Sequence, residues 1–246
     1  METVTAVMSE FFASPMTRFA RALNHVDEHP ISAEIFSVER LEQYAQTLAA
    51  EHKTVIKKTR AQLLPRLEDN GRVLFAAYKL LVETIRKGRP MSPAAEWLVD
   101  NFHIIEEQLR EIREDLPKSY YHELPKLLND PLKDYPRIYA LALALIAHTD
   151  CRLDTDTLRR FIIAYQTVAP LTIGEIWAVA ITLRLALVEN LRRLTNAIVR
   201  ARDERDHADK LADRILELAS RQGSSLPTLI AERLGKLEQT PAAFVV

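Results

Sequence analysis

The stretch "LTIGEIWAVAITLRLALVENLRRLTNAIV" (residues 171–199) decides the fold class, because it is a long apolar run with helical spacing. Thr172 and Glu175 form a capping-box pattern, which predicts a helix start just after Pro170. A period near 3.6 predicts one stripe of apolar side chains facing the core. That stripe comprises Ile176, Ala180, Leu183, Leu187, Leu191, Leu194 and Ile198. The helix is predicted to be central and to extend past residue 210, until "GSSLP" breaks it.

The composition of the whole chain supports a helical protein. Its 246 residues are 48% hydrophobic, with only 5 glycines against 12 prolines. The net charge of −1 offers no electrostatic footprint for nucleic acid or anionic lipid, so we predict no nucleic-acid partner. No apolar segment reaches the roughly 20 residues that a membrane span requires, so we predict no transmembrane segment. The single cysteine, Cys151, excludes an intramolecular disulfide and fits a reducing compartment.

Caps and helix breakers predict the remaining helices. One helix follows Ser37 and is interrupted at Pro65 and at Asn70-Gly71, and another ends at Gly88. Ser92 and Pro93 predict the start of a helix that runs to Leu116. Short turns at the prolines from 117 to 136 and a core helix at about residues 135–148 follow. A helix capped by Asp154 comes next and carries Leu158, Phe161, Ile162 and Tyr165.

We therefore predict an all-α fold, a bundle of about eight helices with a proline-punctuated middle segment. The predicted organisation is a single helical domain, residues 1–246. It consists of an N-terminal arm (1–36), a helical core (37–215) and a C-terminal extension (216–246).

The stretch "AEWLVDNFHIIEEQLREIREDLPKSYYHELPKL" (residues 95–127) is the richest in chemistry. Glu96, Asp100, His103 and Glu107 recur at spacings of four, three and four and fall on the polar arc of their helix. A solvent-exposed face or a docking surface is the favoured interpretation. Contact residues for a partner would be Trp97, Tyr120 and Tyr121. In the alternative interpretation, a helix-bundle metal site, this stripe would act together with Glu204 and His207.

Three polar residues near or inside apolar faces are predicted to be structural. Asn101 and Gln108 lie in the apolar arc, where a buried amide needs partners, and we expect bonds to neighbouring helices or turns. Arg184 lies at the edge of the apolar stripe of the long helix, and we predict that it forms a structural ion pair. Asp154-Thr155-Asp156 is a D-x-D tripeptide of the kind that holds nucleotide-sugar metals, but here it opens a helix, and capping is favoured. No catalytic residue, metal site or cofactor site is predicted.

Several long strings together resemble the N-terminal region of bacterial cyclic β-1,2-glucan synthases. They lie in the family's order over about residues 32–215: "SAEIFSVERLEQYAQTLA", the 95–127 stretch, "YPRIYALALALIAHTD" and "FIIAYQTVAPLTIGEIWAVAITLRLALVENLRRL". The resemblance implies a helical part of a very large inner-membrane enzyme that polymerises glucose from UDP-glucose and closes the chains into rings. No position here matches the family's glucosyltransferase or phosphorylase residues. The family pattern continues beyond "TPAAFVV", so we expect the chain to stop inside it.

The resemblance leads to three hypotheses about function. The favoured one is a non-catalytic accessory segment that packs against the remaining parts of the synthase or another subunit, at the cytoplasmic face of the inner membrane. The second is a stand-alone helical scaffold or regulatory adaptor that binds a protein partner. The third is an independent helical metalloenzyme. Self-association stays open in all three.

Overall fold

A computed structural model of the chain describes residues 30–57, 63–129 and 132–222. The chain divides into two compact units, Met1–Thr195 and Asn196–Val246. Most of the predicted arm (1–36) and of the predicted extension (216–246) lies outside the described residues. The predicted domain boundaries therefore stay predictions.

The fold class predicted from the sequence is confirmed, because the described ranges contain eight helices and almost no strand. The helices are α1 (Val38–Glu51), α2 (Leu63–Arg86), α3 (Pro93–Asp100), α4 (Phe102–Asp115), α5 (Lys118–Glu123), α6 (Arg137–Thr149), α7 (Thr155–Gln166) and α8 (Ile173–Gln222). Two two-residue strands, β1 (Thr54–Val55) and β2 (Lys126–Leu127), pair antiparallel with Thr54 opposite Leu127.

The helix starts follow from side-chain caps. The hydroxyl of Ser37 accepts from the backbone N–H of Arg40, and that of Ser92 accepts from Ala95 N–H, each at 3.3 Å. The carboxylate of Asp154 accepts from Thr157 N–H at 2.8 Å, so its predicted capping role is confirmed. At the other end of α2, Gly88 adopts φ 65°, the left-handed conformation in which glycine ends helices without strain.

Two predicted boundaries are wrong. Pro65, Asn70 and Gly71 do not interrupt a helix but lie within α2. Pro65 fits because it falls in the first turn, where its missing N–H has no helical partner to lose. A Cβ on Gly71 would lie 3.4 Å from Leu109, an ordinary van der Waals distance, so α2 and α4 pack side by side at this point. Conversely, the single helix predicted from Ser92 to Leu116 breaks at Asn101 into α3 and α4.

The core is built around α6, as the apolar composition of residues 137–149 predicts. Every residue of α6 is buried, including Arg137 and His148. Because α6 is covered on all sides, it needs no amphipathic pattern. Helices α1 and α7 pack against each other beside it, and α2 packs against both α3 and α4.

The predicted core stripe of α8 is wrong within the first unit. Of its members up to Leu194, only Leu183 is buried, while Ile176, Ala180, Leu187 and Leu194 are exposed. The buried face is the opposite one and contains Ala178, Ile181, Leu185, Ala186 and Val188 together with Glu175, Glu189 and Arg193. This face can be buried because its charged side chains are paired, as described below.

The part of the second unit that the structure describes is the end of α8, residues 196–222. There Arg202 lies 3.6 Å from the Asp206 carboxylate, an i,i+4 pair of the kind that stabilises exposed helices. The predicted extension of this helix past residue 210 is confirmed. None of the helices in the described ranges combines the length and apolar character that crossing a bilayer requires.

Candidate functional site

The acidic and histidine stripe predicted from the sequence lies on the outside of the molecule. Glu96 and Asp100 belong to α3, and His103 and Glu107 belong to α4; all four side chains are exposed. The break at Asn101 divides the stripe between two short helices. Glu107 makes only a 3.9 Å contact with Arg110, a weak pair at the surface.

The aromatic residues predicted as partner contacts have different environments. Trp97 is 55% exposed and lies beside the stripe, so it is available to a partner. Tyr120 is half-buried, and its hydroxyl donates to the carbonyl oxygen of Gly174 at the start of α8. Tyr121 is fully buried, and its hydroxyl donates to the Asp134 carbonyl oxygen at 3.3 Å. Tyr121 is therefore a core residue, which corrects its assignment to a surface.

The polar residues predicted to be structural are placed as follows. Asn101 donates from its amide to the carbonyl oxygen of Trp97 at 2.8 Å, and Gln108 donates to the Glu111 carboxylate at 3.1 Å. Both amides are half-buried and bond along their own helices, which differs from the expected bonds to neighbouring elements. Arg184 of α8 donates to Glu111 at 3.3 Å and lies 3.6 Å from Asp115, so it links α8 to α4.

A buried carboxylate that the sequence analysis missed, Glu189 of α8, lies at the centre of a polar cluster. Arg66 donates to it from Nε at 2.9 Å and from Nη2 at 2.7 Å, a bidentate pair. Asn70 donates at 2.8 Å and Arg193 at 3.1 Å, and Arg192 lies 3.7 Å away. The sequence carried a signal, since Glu189 stands alone as an acid in "LRLALVENL".

These donors keep Glu189 ionised inside the protein. Burial alone raises the pKa of a carboxyl group, but the hydrogen bonds and positive charge of Arg66 outweigh it, with help from Asn70 and Arg193. The resulting pKa of Glu189 is about 2. The cluster therefore joins α2 to α8 through a permanent ion pair.

A second buried ion pair joins α6 to the start of α8. Arg137 donates from Nε to Glu175 at 2.8 Å and from Nη2 at 2.7 Å, and Nη2 also donates to the carbonyl oxygen of Pro170. The same carboxylate accepts from the backbone N–H of Thr172 at 2.8 Å, which completes the predicted capping box. Glu175 therefore serves both as a cap and as a counter-ion.

Burial lowers the pKa values of two titratable groups near this pair. Burial lowers the pKa of His52 to about 4, and the charge of Arg137 adds to the effect; its Nδ1 bonds the Tyr165 hydroxyl at 2.9 Å. Burial also lowers the pKa of Lys126 to about 8, although the charge of Glu175 opposes this. The Lys126 amine donates to the carbonyl oxygens of Tyr121 and Leu124, which fixes the proline-rich middle segment.

The Glu189 cluster and the Arg137–Glu175 pair therefore hold helices together, and their charged groups are occupied by these contacts. In the described part of the chain, no three His, Cys, Asp or Glu side chains come close enough together to hold a metal ion. Glu204 and His207 are exposed on the described end of α8. Cys151 is half-buried, and burial raises the pKa of its thiol.

These features define the class of the protein. It is an all-α multi-helix protein whose helices are joined by buried ion pairs. No family model matches the sequence. The chain is, however, 34% identical over 167 residues to the cyclic β-(1,2)-glucan synthase NdvB of Rhizobium meliloti (strain 1021). The match covers 68% of this chain but only 6% of that relative's length. The resemblance to cyclic β-1,2-glucan synthases that the sequence predicts is therefore confirmed, and the chain is similar to a small part of such an enzyme.

Replacing Glu189 by glutamine should destabilise the fold strongly. The variant keeps the volume but removes the negative charge that compensates Arg66 and the fully buried Arg193, and breaking such a buried pair costs about 3–5 kcal/mol. Urea unfolding followed by circular dichroism measures the change. The exposed Glu107→Gln is the matched control and should change the free energy of unfolding little. An equally small change in both variants would contradict the central role of the cluster.

Stability should rise with pH between about 7.5 and 9.5 because of Lys126. Its pKa in the fold is about 8, below its ordinary value of 10.5, so the unfolded chain binds the proton more tightly over this range. Raising the pH then favours the folded state by about 2 kcal/mol. Lys126→Met should flatten this rise, whereas the exposed control Lys133→Met should keep it. A rise that survives in Lys126→Met would refute the assignment.

Proposed function

We propose that this chain is a non-catalytic helical segment of a cyclic β-1,2-glucan synthase, and that it packs against other parts of that enzyme. The observation that carries the proposal is the similarity to NdvB, which extends over two thirds of this chain but a small fraction of the relative. In this proposal the polymerisation of glucose from UDP-glucose and the ring closure belong to the remainder of the enzyme. The segment works at the cytoplasmic face of the inner membrane without a cofactor of its own.

The placement of the charged side chains supports a structural role. Among the described residues, the two buried carboxylates are Glu175 and Glu189, and each is bound by donors that also join helices. A general acid or base instead needs an available proton site within reach of a substrate. The exposed acids of the stripe lie on two separate helices and face solvent.

The surface around Trp97 supports a docking role. We define the α3–α4 surface as Glu96, Trp97, Asp100, His103 and Glu107. Its large indole is more than half exposed. Exposed aromatic anchors surrounded by polar residues are typical of contact surfaces in protein complexes.

The purified chain should not transfer glucose. Incubated with radiolabelled UDP-glucose, it should leave no label in oligosaccharide, because the buried carboxylates Glu175 and Glu189 are bound by donors and the acids of the stripe face solvent. Membranes that contain the NdvB relative serve as the positive control. Incorporation by the chain alone, retained after repeated purification, would overturn its non-catalytic assignment.

Trp97→Asp should weaken binding of the chain to the remainder of the synthase. Truncating a central aromatic anchor costs about 2 kcal/mol or more, or roughly thirtyfold in affinity. Co-sedimentation with membranes carrying an NdvB variant that lacks the matching segment measures it. Ile85→Asp, at an exposed position on α2, is the control and should bind like the unmodified chain. Equal binding by both variants would rule out the α3–α4 surface.

A further inference from the structure

An exposed apolar surface lies where α7 ends and α8 begins. We define the α7–α8 surface as Val168, Pro170, Ile173, Ile176 and Trp177, all of which are exposed. Trp177 is 76% exposed and Ile173 is 72% exposed, the two largest exposed fractions among the large apolar side chains that the structure describes. Because Ile173, Ile176 and Trp177 are i, i+3 and i+4 neighbours on α8, their side chains form one patch.

The α7–α8 surface belongs to a long uncharged part of the sequence. Between Arg160 and Arg184 the only charged residue is Glu175. Its carboxylate is fully buried and accepts two hydrogen bonds from Arg137. The surface therefore presents no charge of its own to whatever covers it.

The backbone of the connecting turn, residues 167–172, bonds extensively inside the protein. The N–H groups of Val168 and Ala169 both donate to the carbonyl oxygen of Tyr165, each at 3.1 Å. The carbonyl oxygen of Pro170 accepts from the buried Arg137 at 3.0 Å, and a proline has no N–H to satisfy. The turn thus combines exposed apolar side chains with a backbone that is bonded from within.

The two threonines of this turn also have internal partners. The hydroxyl of Thr167 donates to the carbonyl oxygen of Ala164 at 2.6 Å. The hydroxyl and the N–H of Thr172 donate to the carboxylate of Glu175 at 3.1 Å and 2.8 Å. Polar groups that are bonded internally can leave water without losing those hydrogen bonds, so the turn can enter an apolar medium at little cost.

These properties match the boundary between the head groups and the acyl chains of a lipid bilayer. Acyl chains offer no partner for a polar group, so a structure that enters them has to bond its own polar groups. Trp is enriched at this boundary, because its ring is apolar and its N–H is polar. A protein partner fits less well, since protein interfaces carry about one hydrogen bond per 100–200 Å².

We propose that the α7–α8 surface inserts into the interfacial layer of a lipid bilayer, with Ile173 and Trp177 below the head groups. Such a contact reaches about 5–10 Å into the boundary with the acyl chains and does not span the membrane. Burial of apolar surface drives it, so it does not depend on lipid charge. The proposal goes beyond the proposed function, because it applies to the purified chain without any other part of a synthase.

Co-sedimentation of the full-length chain with phosphatidylcholine vesicles, which carry no net charge, tests the proposal. The unmodified chain should sediment with the vesicles to the same extent at low and at high salt, because screening of charges does not affect apolar burial. Ile173→Asp with Trp177→Asp should lower the partition coefficient about tenfold or more, since two large side chains no longer gain burial.

A matched control adds the same two charges at exposed isoleucines outside the α7–α8 surface. Ile56 follows β1 and is 68% exposed, and Ile85 lies on α2 and is 48% exposed. Ile56→Asp with Ile85→Asp should therefore sediment with the vesicles like the unmodified chain.

The fluorescence of Trp177 gives a second measurement that needs no aspartate. Trp97→Phe leaves Trp177 as the sole tryptophan. In that background, phosphatidylcholine vesicles should shift the emission to the blue and protect the indole from acrylamide in the aqueous phase. Vesicles whose acyl chains carry bromine should quench the emission, because the ring lies beside those chains.

Four outcomes would overturn the proposal. In the first, the unmodified chain does not sediment with phosphatidylcholine vesicles. In the second, the two double variants lose binding equally. In the third, binding falls steeply as salt is raised, which would assign it to charged groups elsewhere on the protein. In the fourth, Trp177 is protected without lipid while light scattering shows a doubled mass, which would assign the α7–α8 surface to a second copy of the chain.

Discussion

The first unit depends most on the buried ion pair between the carboxylate of Glu189 and Arg66. The carboxylate lies on the buried face of α8 and accepts hydrogen bonds from Arg66 and Asn70 of α2 as well as from Arg193. An unpaired charge at this depth would cost several kcal/mol, so α2 and α8 can pack only in the register that brings these donors together. The pair thus determines which side of α8 is buried, and it leaves the side that carries Ile176, Leu187 and Leu194 outside.

Much of the fold follows from local sequence signals. The caps at Ser37, Ser92 and Asp154 and the capping box at Thr172 are visible in the sequence, because each satisfies the free N–H groups of its own helix start. Which side of α8 is buried does not follow from local signals. Hydrophobicity alone buries Leu187 and Leu194, whereas the structure buries Glu189, whose burial depends on Arg66, 123 residues earlier in the chain.

The sequence likewise predicts one part of the candidate site and not the rest. The exposure of Glu96, Asp100, His103 and Glu107 follows from their positions on one helical arc, even though the helix breaks between them. The burial of Tyr121 does not, since a six-residue helix between prolines carries no clear periodicity. The similarity to NdvB comes from long strings of sequence, and it supplies a context that no single side chain provides.

The all-round burial of α6 has a consequence for how the protein is made. Its 13 residues, 137–149, leave the ribosome well before the ion-pair partner of Arg137, which is Glu175, and before the rest of α8. Contacts such as Ile31 with Asn190 span 159 residues, so the core cannot close until almost the whole first unit has been synthesised. During that interval a helix whose middle is entirely apolar, residues 138–147 apart from the Tyr139 hydroxyl, lacks its cover, and the nascent chain is exposed to aggregation.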